Sequence, residues 1–161
     1  MRPPHVQEVY PDYLTVGETT LLNAKRKADD VAPKFPNALV LAADTLVAVE
    51  GKIFGKPRDR AEAGAMLRTL SGREHDVFSG VWIISAGGGR TRCFIEHSRV
   101  RFRRLSGGEI TRYLSLVNPL DKAGGYAAQE NVLEIIESIE GSRTNVIGLP
   151  MEALSEALEE F

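Results

Sequence analysis

Two residues give the first chemical signal in this chain: Asp44, in Ala42-Ala43-Asp44-Thr45-Leu46-Val47, and Lys56, in Gly55-Lys56-Pro57. The aspartate interrupts an apolar run that reads as a buried strand. An unpaired carboxylate is costly there, so it needs backbone donors, a lysine or a cation. A carboxylate and an ammonium brought to one sheet edge are the minimum for metal-assisted phosphate chemistry. Taken singly, Asp44 also reads as a residue that steadies a strand-end turn. Lys56 alone reads as a surface lysine held extended by the proline after it.

Further cations lie in Asn23-Ala24-Lys25-Arg26-Lys27-Ala28. On a helix Lys25 falls nearer the apolar stripe and Lys27 can face a neighbouring cleft, although the whole run also reads as a solvated face. Arg99, Arg101 and Arg103 share strand parity opposite Val100 and Phe102, which describes a solvated strand face better than a nucleic-acid surface. His75 has no second histidine at ligand spacing, so a zincin-like site is unsupported. There is no Walker A pattern and no GxGxxG after a strand, and Gly87-Gly88-Gly89 joins two strands without opening a helix. The run from Asp121 to Gln129, with Gly124-Gly125-Tyr126 inside it, is different. Its glycines let backbone approach a ligand closely, and Gln129 offers a donor and an acceptor to a base edge. Lys122 is open to three readings: a Schiff-base lysine, a phosphate lysine, or a partner for Asp121.

The elements that must position these groups are legible from periodicity. Glu18 to Val31 reads as a helix with Leu21, Leu22, Ala24, Lys25, Ala28 and Val31 along its stripe, ended by Pro33 and Pro36. Leu39 to Val49 is a strand, Glu50-Gly51 a tight turn and Lys52 to Phe54 the return arm. Asp59 caps a helix carrying Ala63, Met66, Leu67 and Leu70 inward, with Glu62 at capping-box spacing. Val77 to Ser85 and Thr91 to Phe102 form a long hairpin, with Cys93 as a small hydrophobe in the second strand. Ser106 caps a short helix, Glu109 to Leu116. Val132 to Ile139 reads as a strand and Gly141 to Asn145 as a turn. Pro150 opens a last helix bearing Met151, Leu154 and Leu158.

The chain has 161 residues, enough for one substantial core. Its 20 basic and 22 acidic side chains leave a net charge of -2, which excludes a global field for nucleic acid or an anionic membrane. One cysteine excludes an intrachain disulfide. No stretch approaches the roughly 20 apolar residues of a membrane span, and the N-terminus lacks the apolar core of a signal peptide. A cytoplasmic protein is the expectation.

Read together, these segments resemble the Maf family of nucleoside triphosphate pyrophosphatases, related in fold to the inosine triphosphate pyrophosphatases. The resemblance rests on Ala24-x-x-Lys27-Ala28, Ala43-Asp44-Thr45-x-Val47, Gly55-Lys56-Pro57, Met66-Leu67-x-x-Leu70-Ser71-Gly72-x-x-His75-x-Val77-x-Ser79-Gly80, Asp121-Lys122-Ala123-Gly124-Gly125-Tyr126 and Gly141-Ser142-x-x-Asn145-Val146-Ile147-Gly148-Leu149-Pro150. These occur in family order over nearly the whole chain. The resemblance implies an α/β fold, a mixed sheet flanked by helices with a long β-hairpin, as a single domain over residues 1–161. It implies hydrolysis of the α–β phosphoanhydride of a nucleotide to the monophosphate and pyrophosphate, assisted by a divalent cation, Mg or Mn. On that reading Asp44 is the catalytic base, and Lys56 and Lys27 neutralise the polyphosphate. Glu8 stands at the family's spacing before Lys27 and, with Asp44, is assigned to the metal. Thr45 and Gln129 match the dTTP/UTP branch of the family and not the 7-methyl-GTP branch. The implied partners are the nucleotide and a second copy of the chain in a homodimer.

Two departures accompany the resemblance. The chain begins after the family's first strand and its phosphate-binding Ser-x-Ser-Pro-Arg-Arg loop, and no Ser-Pro-Arg occurs in it. Gln129 is followed by Glu130-Asn131, where a glycine is usual. The first departure keeps open a second expectation, a nucleotide-binding protein with little or no turnover and a cell-division role.

Overall fold

The apolar run Leu39–Val49 forms the long strand β1. Glu50 and Gly51 follow with φ of 50° and 77°, the left-handed pair that a two-residue hairpin turn requires. Lys52–Phe54 then returns as β2. The computed structural model describes residues 5–85, 87, 89–128, 135–159 and 161. Within these, β3 (Glu74–Ser85) pairs with both β1 and β4 (Thr91–Phe102), and β5 (Ile136–Glu140) lies on the far side of β4. The order is β2-β1-β3-β4-β5. The α/β class is as expected. Every described pairing is antiparallel, so the mixture of strand directions anticipated for the sheet is not seen among the described residues.

Helix α1 (Val16–Val31) begins before Glu18 because Thr15 caps it, in a reciprocal capping box with Glu18. Such a cap contributes about 1 kcal/mol. The buried face of α1 is made of small and polar residues: Gly17, Thr19, Thr20, Asn23, Ala24 and Ala28. Leu21 and Leu22, expected on the inner stripe, are only half-buried. The cause is the closeness of helix and sheet. A Cβ added to Gly80 on β3 would lie 2.3 Å from the Leu21 nitrogen and 2.5 Å from the Thr20 carbonyl carbon. At such a contact a large side chain has no room.

Alternation along the strands sends Val47, Val49 and Val77 to the opposite face. There α2 (Arg60–Leu70) and α3 (Gly107–Leu116) cover them with Leu67, Leu70, Ile110 and Leu114, around a fully buried Phe102. Each such side chain contributes roughly 1.5–3 kcal/mol. The carboxylate of Glu62 closes the start of α2 on the Arg58 backbone N–H rather than on that of Asp59. On the same face α5 (Met151–Glu159) sets Leu154 and Ala157 against Val81 and Ile83.

Three local expectations are corrected. The segment expected as a turn over Gly141 to Asn145 runs into a short helix, α4 (Arg143–Ile147), because Ser142 caps it and Gly148 ends it with φ of 115°. Met151 and Leu158 are exposed, because only the narrow Leu154–Ala157 side of α5 meets the sheet. Cys93 is exposed as well, since its parity places it with Ile95 and His97 while Phe94 turns toward the core. The described part of the last strand starts at Ile136, and Val132 lies outside the described residues. Arg99 and Arg101 form the solvated face expected of them, paired with Glu140, Glu74 and Glu137. Among the described residues, no helix is long and apolar enough to cross a membrane.

His75 is buried beside Phe102 and bonds through Nε2 to the Tyr126 hydroxyl at 2.8 Å. Burial lowers its pKa to about 4. In the unfolded chain an ordinary histidine titrates near 6.5. Below that pH the unfolded chain takes up a proton that the folded one refuses, so stability falls as pH drops from about 6.5 toward 4. Between pH 7.5 and 4.5 this one group accounts for a loss of about 2–3 kcal/mol. Urea titrations at the two pH values check it: the drop for His75→Gln should be smaller by that amount.

Candidate active site

Strand β1 outlasts its neighbour. Only Val47, Ala48 and Val49 pair with β2, so among the described residues the Asp44 end of β1 forms the edge of the sheet. A cleft of about 240 Å³ opens there, lined by Glu8, Lys27, Asp44, Thr45, Lys56, Lys122, Tyr126 and Gly148 among others.

The contact at Gly80 explains what faces Asp44. Gly80 is the cross-strand partner of Asp44, and the Thr20–Leu21 backbone rests on it. The next turns of α1 therefore pass over the carboxylate, and Asn23 and Lys27, an i,i+4 pair, point at it. Lys27 Nζ lies 2.5 Å from Asp44 Oδ1, and Asn23 Nδ2 lies 3.3 Å from Oδ2. Asp44 is only 5% exposed. Burial raises its pKa above the ordinary value, outweighing the attraction of Lys27, and the charge of Glu8 adds to the rise. Burial works against the Lys27 ammonium too, yet the flanking Asp44 and Glu8 carboxylates hold its pKa above the usual value.

Glu8 completes the arrangement. Its Oε1 accepts from Lys27 at 3.1 Å and from Lys56 at 2.8 Å, and its Oε2 accepts from the Tyr10 hydroxyl at 3.0 Å. Partial burial would raise the Glu8 carboxyl, but the bond to Lys56 and the charge of Lys27 bring it down to about 2. Burial, then the adjacent Glu8, pushes the Tyr10 hydroxyl up to about 12. The site is thus a chain of alternating charges: Asp44, Lys27, Glu8, Lys56. Asp44 and Lys56, the residues with which the sequence argument began, share one cleft, and they are linked through Lys27 and Glu8.

Thr45 projects to the other side of β1. Its hydroxyl lies 2.7 Å from Ser79 Oγ and donates to the Gly148 carbonyl at 3.3 Å. Gln129 lies outside the described residues. The loop leading to it is well anchored. Gly124 and Gly125 have φ of 69° and 72°, and the Gly124 N–H donates to the Gly55 carbonyl at 3.0 Å, next to Lys56. The Tyr113 hydroxyl accepts from the Ala127 N–H at 3.0 Å and donates to its carbonyl at 3.5 Å. Of the three readings of Lys122, the structure shows the pairing with Asp121, at 2.8 Å.

Asn23, Tyr10 and Ser79 contact the proposed site residues, and sequence reasoning gave them no role. Asn23 had a signal: a polar residue inside the helix, one turn before Lys27. Ser79 stood in a motif of the resemblance but was given no role there, and Tyr10 had no signal beyond its nearness in the chain to Glu8. The donor set also suits a divalent cation. The carboxylates of Glu8 and Asp44 converge on one positive group, the Lys27 ammonium. A magnesium-like ion is commonly held by one or two carboxylates together with substrate phosphates.

Comparison with known proteins places the chain. It is 44% identical over 160 residues to a dTTP/UTP pyrophosphatase of Carboxydothermus hydrogenoformans, covering 99% of this chain and 85% of the relative. A protein of the same name from Pelotomaculum thermopropionicum is 42% identical over 156 residues, 97% of this chain and 82% of the relative. One from Pyrococcus furiosus is 44% identical over 142 residues, 88% and 74% of the two chains. The family model described as "Maf-like protein" matches residues 1–161, and the chain belongs to the Maf family.

Proposed function

We propose that this protein hydrolyses nucleoside triphosphates, dTTP and UTP foremost, to the monophosphate and pyrophosphate. The observation that carries the reading is the charge chain Asp44–Lys27–Glu8–Lys56 along one cleft at the sheet edge. Three of its four members, Asp44, Lys27 and Lys56, lie in the motifs that resemble the family. The names of the relatives supply the substrate class.

The chemistry is the one that the family resemblance implies, and the geometry of the cleft is compatible with it. Asp44 takes a proton from a water molecule, and the water oxygen forms a bond to the α-phosphorus. The bond from that phosphorus to the α–β bridging oxygen breaks, and pyrophosphate leaves with the electron pair. Burial favours Asp44 as the acceptor, because a carboxylate with a raised pKa is a stronger base. Lys27 and Lys56 stabilise the negative charge that builds on the leaving group. A divalent cation, magnesium or manganese, held by Glu8 and Asp44 would supply Lewis-acid stabilisation to the phosphate oxygens. Thr45, tied to Ser79 and Gly148, and Gln129 after the Gly-Gly-Tyr loop are assigned to the nucleotide.

The test is pyrophosphate release from dTTP and UTP, against GTP and dATP, with magnesium or manganese. Pyrophosphate from the first pair, at a rate well above that from the purine nucleotides, is expected. Orthophosphate as the product, or no turnover of any nucleotide, would overturn the reading.

A further inference from the structure

Asn23 is 1% exposed and belongs to no residue pair that the proposed reaction uses. Its side chain makes three hydrogen bonds. Oδ1 accepts from the Val9 N–H at 2.9 Å, Nδ2 donates to the Val9 carbonyl at 3.1 Å, and Nδ2 also donates to Asp44 Oδ2 at 3.3 Å. The amide therefore treats Val9 as a neighbouring strand would, occupying both of its backbone polar groups. Val9 lies in a segment without helix or strand, residues 5–10, and follows Glu8 directly. Other backbone ties on that segment lie at or near the surface, His5 N–H to Asp30 and the Gln7 carbonyl to Arg26 at 3.4 Å, while the Glu8 side chain is held by Lys27 and Lys56.

One buried side chain thus joins α1 to the Asp44 carboxylate and to the backbone next to Glu8. It fixes the backbone that carries Glu8, and it holds one oxygen of Asp44 while Lys27 holds the other. We infer that Asn23 is a positioning residue that sets the separation and orientation of Glu8 and Asp44, and thereby the affinity of the pair for a divalent cation. The inference rests on the assignment of those carboxylates to the cation made above. Residues that orient metal ligands typically change metal affinity or activity by about 10–100-fold when removed.

The experiment compares wild type, Asn23→Ala and Asn23→Asp by three measurements. Calorimetry follows Mn²⁺ binding in the presence of a non-hydrolysable dTTP analogue, amide exchange follows Val9, and steady-state kinetics follow activity. Asn23→Ala is expected to weaken Mn²⁺ binding about 10–100-fold and to speed exchange at Val9. The Mn²⁺ concentration for half-maximal kcat should rise with it. Asn23→Asp keeps the acceptor for the Val9 N–H but loses the donors to the Val9 carbonyl and to Asp44, and it sets a second carboxylate beside Asp44. It should therefore retain part of the protection at Val9 while its Mn²⁺ affinity departs from that of wild type. A lower melting temperature with unchanged Mn²⁺ affinity and unchanged metal dependence of kcat would make Asn23 merely structural and overturn the inference. If wild type releases no pyrophosphate, the functional reading fails instead. The Mn²⁺ and Val9 measurements on the three proteins then still decide the role of Asn23.

Discussion

Asp44→Asn is expected to lower kcat/KM for dTTP by about 10²–10⁴-fold, the range that loss of a positioned general base produces. The substitution keeps the shape of the side chain and a carbonyl oxygen for the Lys27 ammonium. It removes the negative charge and the ability to accept a proton from water. The fold should survive, because Asp44 sits at the sheet edge above the cleft and not within the apolar cluster under α2 and α3. Lys27 is then left with Glu8 as its only charged partner among the contacts described. Part of any stability change would come from that loss, since removing one member of a buried pair costs roughly 3–5 kcal/mol when nothing compensates. Here Glu8 and the open cleft both compensate. Circular dichroism and steady-state kinetics on the same preparation separate the two effects. A folded variant with wild-type kcat/KM would remove Asp44 from the role of base.

Gly80→Ala is expected to be the most destabilising single methyl group in the described structure. The added carbon would lie 2.3 Å from the Leu21 nitrogen and 2.5 Å from the Thr20 carbonyl carbon, both of them backbone atoms. No rotamer change can relieve such an overlap. The helix must lift from the sheet or the strand must bend, at a cost of about 3 kcal/mol or more. The consequence reaches the site, because the lifted helix carries Asn23 and Lys27 away from Asp44. Urea denaturation should show a lower midpoint, and activity at low temperature, where the variant is still folded, should also fall. Gly107→Ala is the control, since nothing lies within 4 Å of the carbon it would add. An unchanged midpoint for Gly80→Ala would contradict the close contact of α1 with β3.

Much of the scaffold was legible because local rules agree with the tertiary ones. The run Leu39–Val49, the Glu50-Gly51 turn and the caps at Asp59 and Ser106 each carry their own signal and fold as read. The inner face of α1 was not legible. Its leucines argued for one stripe, but the contact at Gly80 selects Thr20, Asn23 and Ala24, and that contact depends on a strand distant in the chain. Similarly, the burial of Leu154 in place of Met151 and Leu158 reflects which side of α5 meets Val81 and Ile83.

In the site, Asp44 announced itself as a charge in an apolar strand. Its immediate partner did not. Lys27 reads as one cation in a basic run until the helix is placed over the strand. Glu8 stands in a segment with no period, where only the resemblance to a family gave it a role. Asn23 gained its significance from the backbone of Val9, which no sequence pattern can show.

The central claim is that water attacks the α-phosphorus of the nucleotide at the Asp44 end of β1. Hydrolysis of dTTP in H₂¹⁸O, with the products separated and weighed by mass spectrometry, tests it most directly. The account predicts one ¹⁸O in dTMP and none in the pyrophosphate after a single turnover. Label in the pyrophosphate, or label in orthophosphate with dTDP as the other product, would contradict it.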